Sequence, residues 1–138
     1  MQTVGRTAAV LALGTWTALA GGALAGGVPV ETNVLDGAKI TLHTYPFLDA
    51  TELATLRLVL TNSQALSLFL PDHKGFAAIA VAPDEGFIRN GAPVASAVAL
   101  GGMSDAKTAS AQALAACDAR RKASGQACVV VLELGPAG

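Results

Sequence analysis

Between Ala38 and Thr44 the chain alternates, with apolar Ile40 and Leu42 set among Lys39, Thr41 and His43. A period of two sends one set of side chains into a core and the other into water, so this stretch predicts a half-buried strand. Tyr45-Pro46 ends it, because proline has no N–H for a ladder. The period then lengthens. Asp49-Ala-Thr-Glu52 has the spacing of a capping box, and Leu53, Leu56, Val59 and Leu60 recur at helical intervals. Together they predict a helix from Ala50 to about Ser63. Leucines at 66, 68 and 70 fit either a strand or a last helical turn, and Ala65–Leu70 is too short for periodicity to choose.

The second half has sharper boundaries. Phe76-Ala-Ala-Ile-Ala-Val-Ala82 is an apolar run between Gly75 and Pro83, the pattern of a buried strand. Pro83-Asp-Glu-Gly86 and Asn90-Gly91 are turn sequences, with a loop predicted from Phe87 to Pro93. Val94–Leu100 alternates weakly and is expected to return as a strand beside Phe76–Ala82, broken by Gly101-Gly102. Ser104 is a candidate N-cap, Asp105 places an acid in the first turn, and eight alanines between Ala106 and Ala123 favour a helix. Arg120, Arg121 and Lys122 suit its negative end, and Gly125 is the expected C-cap. Ala106, Ser110, Ala113 and Cys117 share one face of that helix. Ala127–Leu134 is the clearest strand in the chain.

The N-terminus changes where this domain is expected to work. One positive charge, Arg6, precedes an uncharged Ala, Val and Leu run over Thr7–Ala20, followed by Ala18-Leu-Ala20 and Ala23-Leu-Ala25 as small-x-small cleavage sites. That is the layout of a secretory signal peptide, with cleavage expected after Ala25 and Ala20 as the second choice. An uncleaved anchor would need about 20 consecutive apolar residues, which the Gly21-Gly22 interruption denies. Gly26–Gly37, which contains Pro29, reads as a flexible leader, and residues 38–138 as a single domain. Without its signal the chain holds eight Lys and Arg against ten Asp and Glu, a formal charge of −2. So weak a balance gives no electrostatic reason to expect nucleic acid as a partner, and no later segment predicts a stable membrane span.

Export also sets the reading of Cys117 and Cys128, the only cysteines. In an oxidising compartment they are expected to pair, tying the alanine-rich helix to the strand after it. Closing so short a loop contributes roughly 3 kcal/mol on chain-entropy arguments. A redox-active dithiol is the alternative. Cys117 late in its helix faces the dipole's negative end, however, where a thiolate is disfavoured. His43 and His73 lie at no metal-ligand spacing from either cysteine. Asp84-Glu85 could supply an acid and a base, but proline before it and glycine after it are ordinary turn chemistry. Asp72-His73-Lys74 reads as a charged surface turn, and Gly101-Gly102 is too short for a phosphate loop. The Arg120-Arg121-Lys122 cluster could hold an anion, yet helix-end cations need no ligand to explain them. No catalytic, cofactor-binding or metal-ligating residue is assigned.

Three segments carry a family resemblance: Gly75-Phe-Ala-Ala-Ile-Ala-Val-Ala-Pro-Asp-Glu-Gly-Phe87, Ala111-Gln-Ala-Leu-Ala-Ala-Cys-Asp-Ala-Arg-Arg121 and Ala127-Cys-Val-Val-Val131. In these the chain resembles a family of small exported proteins labelled 5-aminolevulinate (5-aminolevulic acid) synthase, and a broader group of secreted α/β domains without known function. The likeness covers roughly Asp49 to Gly138, with the two cysteines as its most specific marks. Some members of that family continue into a second similar unit. The resemblance implies an exported α/β domain. Taken by its label, it also implies an acyltransferase that condenses glycine with succinyl-CoA on pyridoxal phosphate. That cofactor needs a Schiff-base lysine, a partner for its pyridinium nitrogen and a phosphate cradle. Lys39, Lys74, Lys107 and Lys122 are the lysines available.

These patterns predict an α+β fold: a small, mainly antiparallel sheet with one or two helices packed on one face, stapled by Cys117–Cys128. The expected function is a non-catalytic binding or interaction module, periplasmic or secreted, without a cofactor. Its expected partner is an envelope protein or a small ligand. The synthase activity is the alternative.

Overall fold

The computed structural model describes residues 27–138. The expected signal peptide, residues 1–25, lies outside the described residues. The fold is the expected α+β class, built on a five-stranded antiparallel sheet.

The chain enters the sheet earlier than expected. Val30–Leu35, expected as part of a flexible leader, is strand β1 and pairs along its whole length with β2, Ala38–His43. The physical reason is the Asp36-Gly37 turn between them. Both residues have positive φ, 54° and 78°, as a tight hairpin turn demands. Glu31, Asn33 and Leu35 then point toward the helical layer on one side, while Val30, Thr32 and Val34 face solvent.

Helix α1 spans Ala50–Thr61, and the capping box at its start is complete. Asn62 ends it and at once caps α2, Ser63–Phe69, by accepting from the Ala65 N–H. The ambiguous leucine stretch is therefore helical, with Leu66 and Leu70 buried one turn apart. Strand β3, Phe76–Val81, follows and is buried along nearly its whole length. A small hairpin follows, with β4 at Ile88–Arg89 and β5 at Ala92–Pro93, turning on Asn90-Gly91. Strand β6 is Val98–Met103, shifted from the expected Val94–Leu100. Gly101-Gly102 does not break it. The pair lets the strand run beneath the 72–75 loop, and a Cβ on Gly101 would overlap the carbonyl oxygen of Asp72. Helix α3, Ala106–Arg120, is capped by Asp105 rather than Ser104, through the Thr108 N–H. Its C-cap is Arg121, so Gly125 falls in the turn beyond. Strand β7, Val129–Pro136, closes the chain.

The strand order β1-β2-β7-β3-β6 buries the last strand between β2 and β3. The helices divide between the two faces. Ile40, Leu42, Ile79, Leu132 and Leu134 pack with Leu56, Val59 and Leu66 under α1 and α2. Ala78, Ala80 and Val98 meet Ala109, Ala113 and Cys117 of α3 on the other face. Alanine on both sides of that interface lets helix and sheet approach closely.

One irregularity sets which β7 residues face α3. Ile79 pairs with Leu132 but Ala80 pairs with Val130, so Val131 is an extra residue, a β-bulge. Val131 and Leu132 both turn to the α1/α2 core, whereas Val130 and Cys128 turn to α3.

Candidate functional site

Cys117 and Cys128 are joined, with Cα atoms 6.1 Å apart and both residues buried. The staple sits in a network of loop contacts. Asp118 Oδ1 accepts from the Cys128 N–H at 3.0 Å and from Arg121 Nε at 2.7 Å. Those two donors hold its carboxyl below the ordinary value of 3.8. The Asp84-Glu85 pair is a turn, and its oxygens serve neighbouring chain. Asp84 Oδ2 accepts from the Gln126 N–H, while Glu85 accepts from the Lys122 N–H and from buried Ser96. Both carboxylates thus tie the β3–β4 turn to the connection between α3 and β7. Arg121, from the basic cluster, is spent on Asp118 and on the carbonyls of Lys122 and Gly125.

Glu52 does more than cap α1. It is fully buried, and its carboxylate reaches across the molecule to the β4 strand. Oε1 accepts from the Asp49 N–H, and Oε2 from the N–H groups of Phe87 and Ile88 and from Arg89 Nη1 at 2.7 Å. Burial pushes this carboxyl up, but the Asp49, Ile88 and Phe87 N–H groups and the Arg89 guanidinium outweigh it. The net result is a pKa below the ordinary 4.5. One charge thereby fixes the helix start and the hairpin in a single frame.

That frame builds the principal cleft of the described residues. The hairpin stands over the β6 end of the sheet, facing α2, and leaves an opening of about 420 Å³. Leu68 and Phe69 form one wall, Phe87, Ile88 and Pro93 the other, and Ile79 lies at the floor. The Phe69 and Phe87 rings sit 5.6 Å apart at a tilt of 43°. Leu68 at the rim is 75% exposed, the largest exposure among the bulky apolar side chains described. None of the ten lining residues carries a charge or a polar side chain. Such a surface can take up an uncharged apolar group and holds no acid, base or nucleophile to act on it.

A second, polar cluster lies on the opposite sheet face, beside α3. His43 Nε2–H donates to Glu133 Oε2 at 2.8 Å, and Ser110 Oγ donates to Glu133 Oε1 at 3.2 Å. His43 was expected on the solvated face and is there, half-buried by its pairing. The carboxylate lies between the other two groups, so the imidazole is oriented by Glu133 and makes no hydrogen bond to the Ser110 hydroxyl. His73 is bound locally, through Nδ1 to the Leu70 carbonyl.

The principal cleft does not fit pyridoxal phosphate. Lys39, Lys74, Lys107 and Lys122 are all exposed and stand on β2, the 72–75 loop, the first turn of α3 and the segment after it. None lines the principal cleft, and no carboxylate enters it to meet a pyridinium nitrogen.

Sequence reasoning located the disulfide and the turns but missed the cleft. Its walls come from α2, β3, the hairpin and β6, and only Asn90-Gly91 advertised the hairpin. The signal for Glu52 was present as the capping box, without its second role. Among the described residues no helix is long and apolar enough to cross a membrane. Comparison with protein-family models, with curated proteins and with solved structures gives no match to this chain.

Proposed function

We propose that the protein is an exported, non-catalytic binding module of the cell envelope, and that the cleft between α2 and the β4–β5 hairpin is its recognition site. The observation that carries this reading is the cleft itself. Its volume of about 420 Å³ falls within the range of ligand pockets, roughly 300–1,000 Å³. Its walls are uniformly apolar, and the buried Glu52 carboxylate braces one of them. The disulfide supports export, since such bonds persist in oxidising compartments.

N-phenyl-1-naphthylamine, an uncharged fluorophore that brightens in apolar surroundings, tests the site. The mature domain is expected to enhance its emission saturably, and Ala99→Trp, which fills the cleft from an exposed position, is expected to abolish the enhancement. Emission unchanged by the wild-type domain, or unaffected by Ala99→Trp, would remove the cleft as the binding site. Expression of the full chain in a secreting bacterial host, with N-terminal sequencing of the product, tests export. Processing after Ala25 or Ala20 is expected, and an unprocessed cytosolic product would overturn that part.

A further inference from the structure

The cleft has one border unlike the others. Ala97, Val98 and Ala99 line it consecutively, although side chains alternate along a strand. The Val98 side chain is buried on the other face, among Ala80 and the α3 alanines. What Val98 presents to the cleft is therefore backbone. Among the described residues β6 is the last strand of the sheet, paired with β3 on one side and with no strand on the other. The cleft thus runs along a row of strand-edge N–H and C=O groups.

The 72–75 loop and a register shift cover β6 at Gly101-Gly102, but the stretch beside the cleft lacks two devices that usually protect an edge, charge and proline. Natural edge strands carry charges or proline to prevent pairing with another chain. β1, the opposite edge, has Glu31, but Val98-Ala-Leu-Gly-Gly-Met103 has no charge and no proline. Ala97 and Ala99 keep the approach beside the cleft free of bulk, and the 72–75 loop crosses only farther along, at Gly101. Gly102, at φ 70°, disturbs the strand's far end, which leaves the stretch beside the cleft as the regular part. A charged side chain stands at β6's C-terminal end. The exposed Asp72 carboxylate lies against Gly102 and accepts a long hydrogen bond from the Lys74 N–H, 3.4 Å.

Resting on the reading of the cleft as the recognition site, we infer that its occupant is an extended polypeptide segment that adds antiparallel to β6 as a sixth strand, seats one bulky apolar side chain in the cleft, and presents a Lys or Arg to Asp72. Alternating donors and acceptors along the edge call for a peptide backbone rather than an acyl chain, and the uncharged walls call for an apolar side chain. An antiparallel segment passes Asp72 before it reaches the cleft. Its cation should accordingly precede the apolar residue by two to four positions.

The test selects a phage-displayed library of random nonapeptides on the folded mature domain, then resynthesises the strongest binder. Enrichment of a basic residue two to four positions before an aromatic or large aliphatic one is expected. N-methylation of alternate backbone nitrogens in one of the two registers should weaken binding at least tenfold, and in the other register little. Ala99→Lys, which places a charge at the cleft mouth beside the edge, should weaken it at least tenfold, and Asp72→Asn about threefold. Circular dichroism and urea midpoints check that both variants remain folded. A binder that displaces the naphthylamine fluorophore but is indifferent to N-methylation in both registers would overturn strand addition and leave the cleft reading standing. No enrichment from the library, with the fluorophore still bound, would do the same. Failure of both library and fluorophore would sink both readings. A dimer in sedimentation that Ala99→Lys dissociates would assign the edge to a second copy of this chain and overturn the peptide.

Discussion

Replacing Glu52 by glutamine changes one oxygen to an amide and keeps the shape. The wild-type carboxylate accepts from three N–H groups and one guanidinium with no exposure to water. Hydrogen bonds to a charged group contribute about 1.5–3 kcal/mol each, and neutral ones about 0.5–1.5 kcal/mol. If the glutamine oxygen takes the Oε2 place, the bonds from Phe87 and Ile88 become neutral, losing about 1 kcal/mol each. The amide nitrogen then faces the Asp49 N–H donor to donor, which forfeits that bond and costs about another 1 kcal/mol. Arg89 is 45% exposed, so water recovers most of its share. The expected loss is about 3 kcal/mol. With a urea m-value of about 1.5 kcal/mol/M the midpoint should fall by about 2 M at pH 7. Arg89→Met, which leaves the carboxylate its three N–H donors, should cost about 1 kcal/mol. The pH dependence follows from the depressed pKa of Glu52. Its stabilisation is present above the unfolded value near 4.5 and is lost as pH falls through the lower folded value, so the wild-type and glutamine midpoints should converge in acid. A midpoint shift below about 0.5 M at pH 7, or a larger loss from Arg89→Met than from Glu52→Gln, would refute the assignment of Glu52 as the brace between α1 and the hairpin.

Removing the disulfide by Cys117→Ala with Cys128→Ala should cost about 3 kcal/mol, lowering the melting temperature by roughly 10–20 °C in calorimetry. A shift under about 5 °C would mean that the loop contacts of Asp118, Asp84 and Glu85 hold the segment without it. Gly101→Ala should destabilise by about 3 kcal/mol, since the new methyl meets the Asp72 backbone. Gly91→Ala meets nothing within 4 Å and should cost only the left-handed backbone term, about 1 kcal/mol; equal urea midpoints for the two would contradict the tight crossing at β6. Asp118→Asn should lower the midpoint at pH 7 and have progressively less effect in acid, where the native carboxylate, now held below 3.8, becomes protonated.

Elements whose signal is local were legible in the chain. The capping box, the β3 run, the alanine helix and the turns could each be read within a dozen residues. What was missed depended on distant partners or on a competing local cue. Pro29 suggested a leader, although Asp36-Gly37 between two alternating runs is a hairpin sequence and places β1 in the sheet. Gly101-Gly102 resembled a break because nothing nearby announced that a loop thirty residues earlier in the chain must cross it. The cleft was invisible for the same reason. Phe69 and Phe87 are eighteen positions apart, and only the fold brings their rings together.

The extra residue at Val131 makes the cysteine bond a covalent check on strand alignment. Without the bulge, Cys128 would share the side of Leu132 and Leu134 and its sulfur would point into the core under α1, away from Cys117. A slip of β7 by one position does the same, because every side chain then exchanges faces. Of the one-residue alternatives, only the correctly threaded strand presents its thiol to the helix. Oxidation would therefore trap the native alignment and leave a slipped strand with two free thiols, a difference an alkylating mass tag would count.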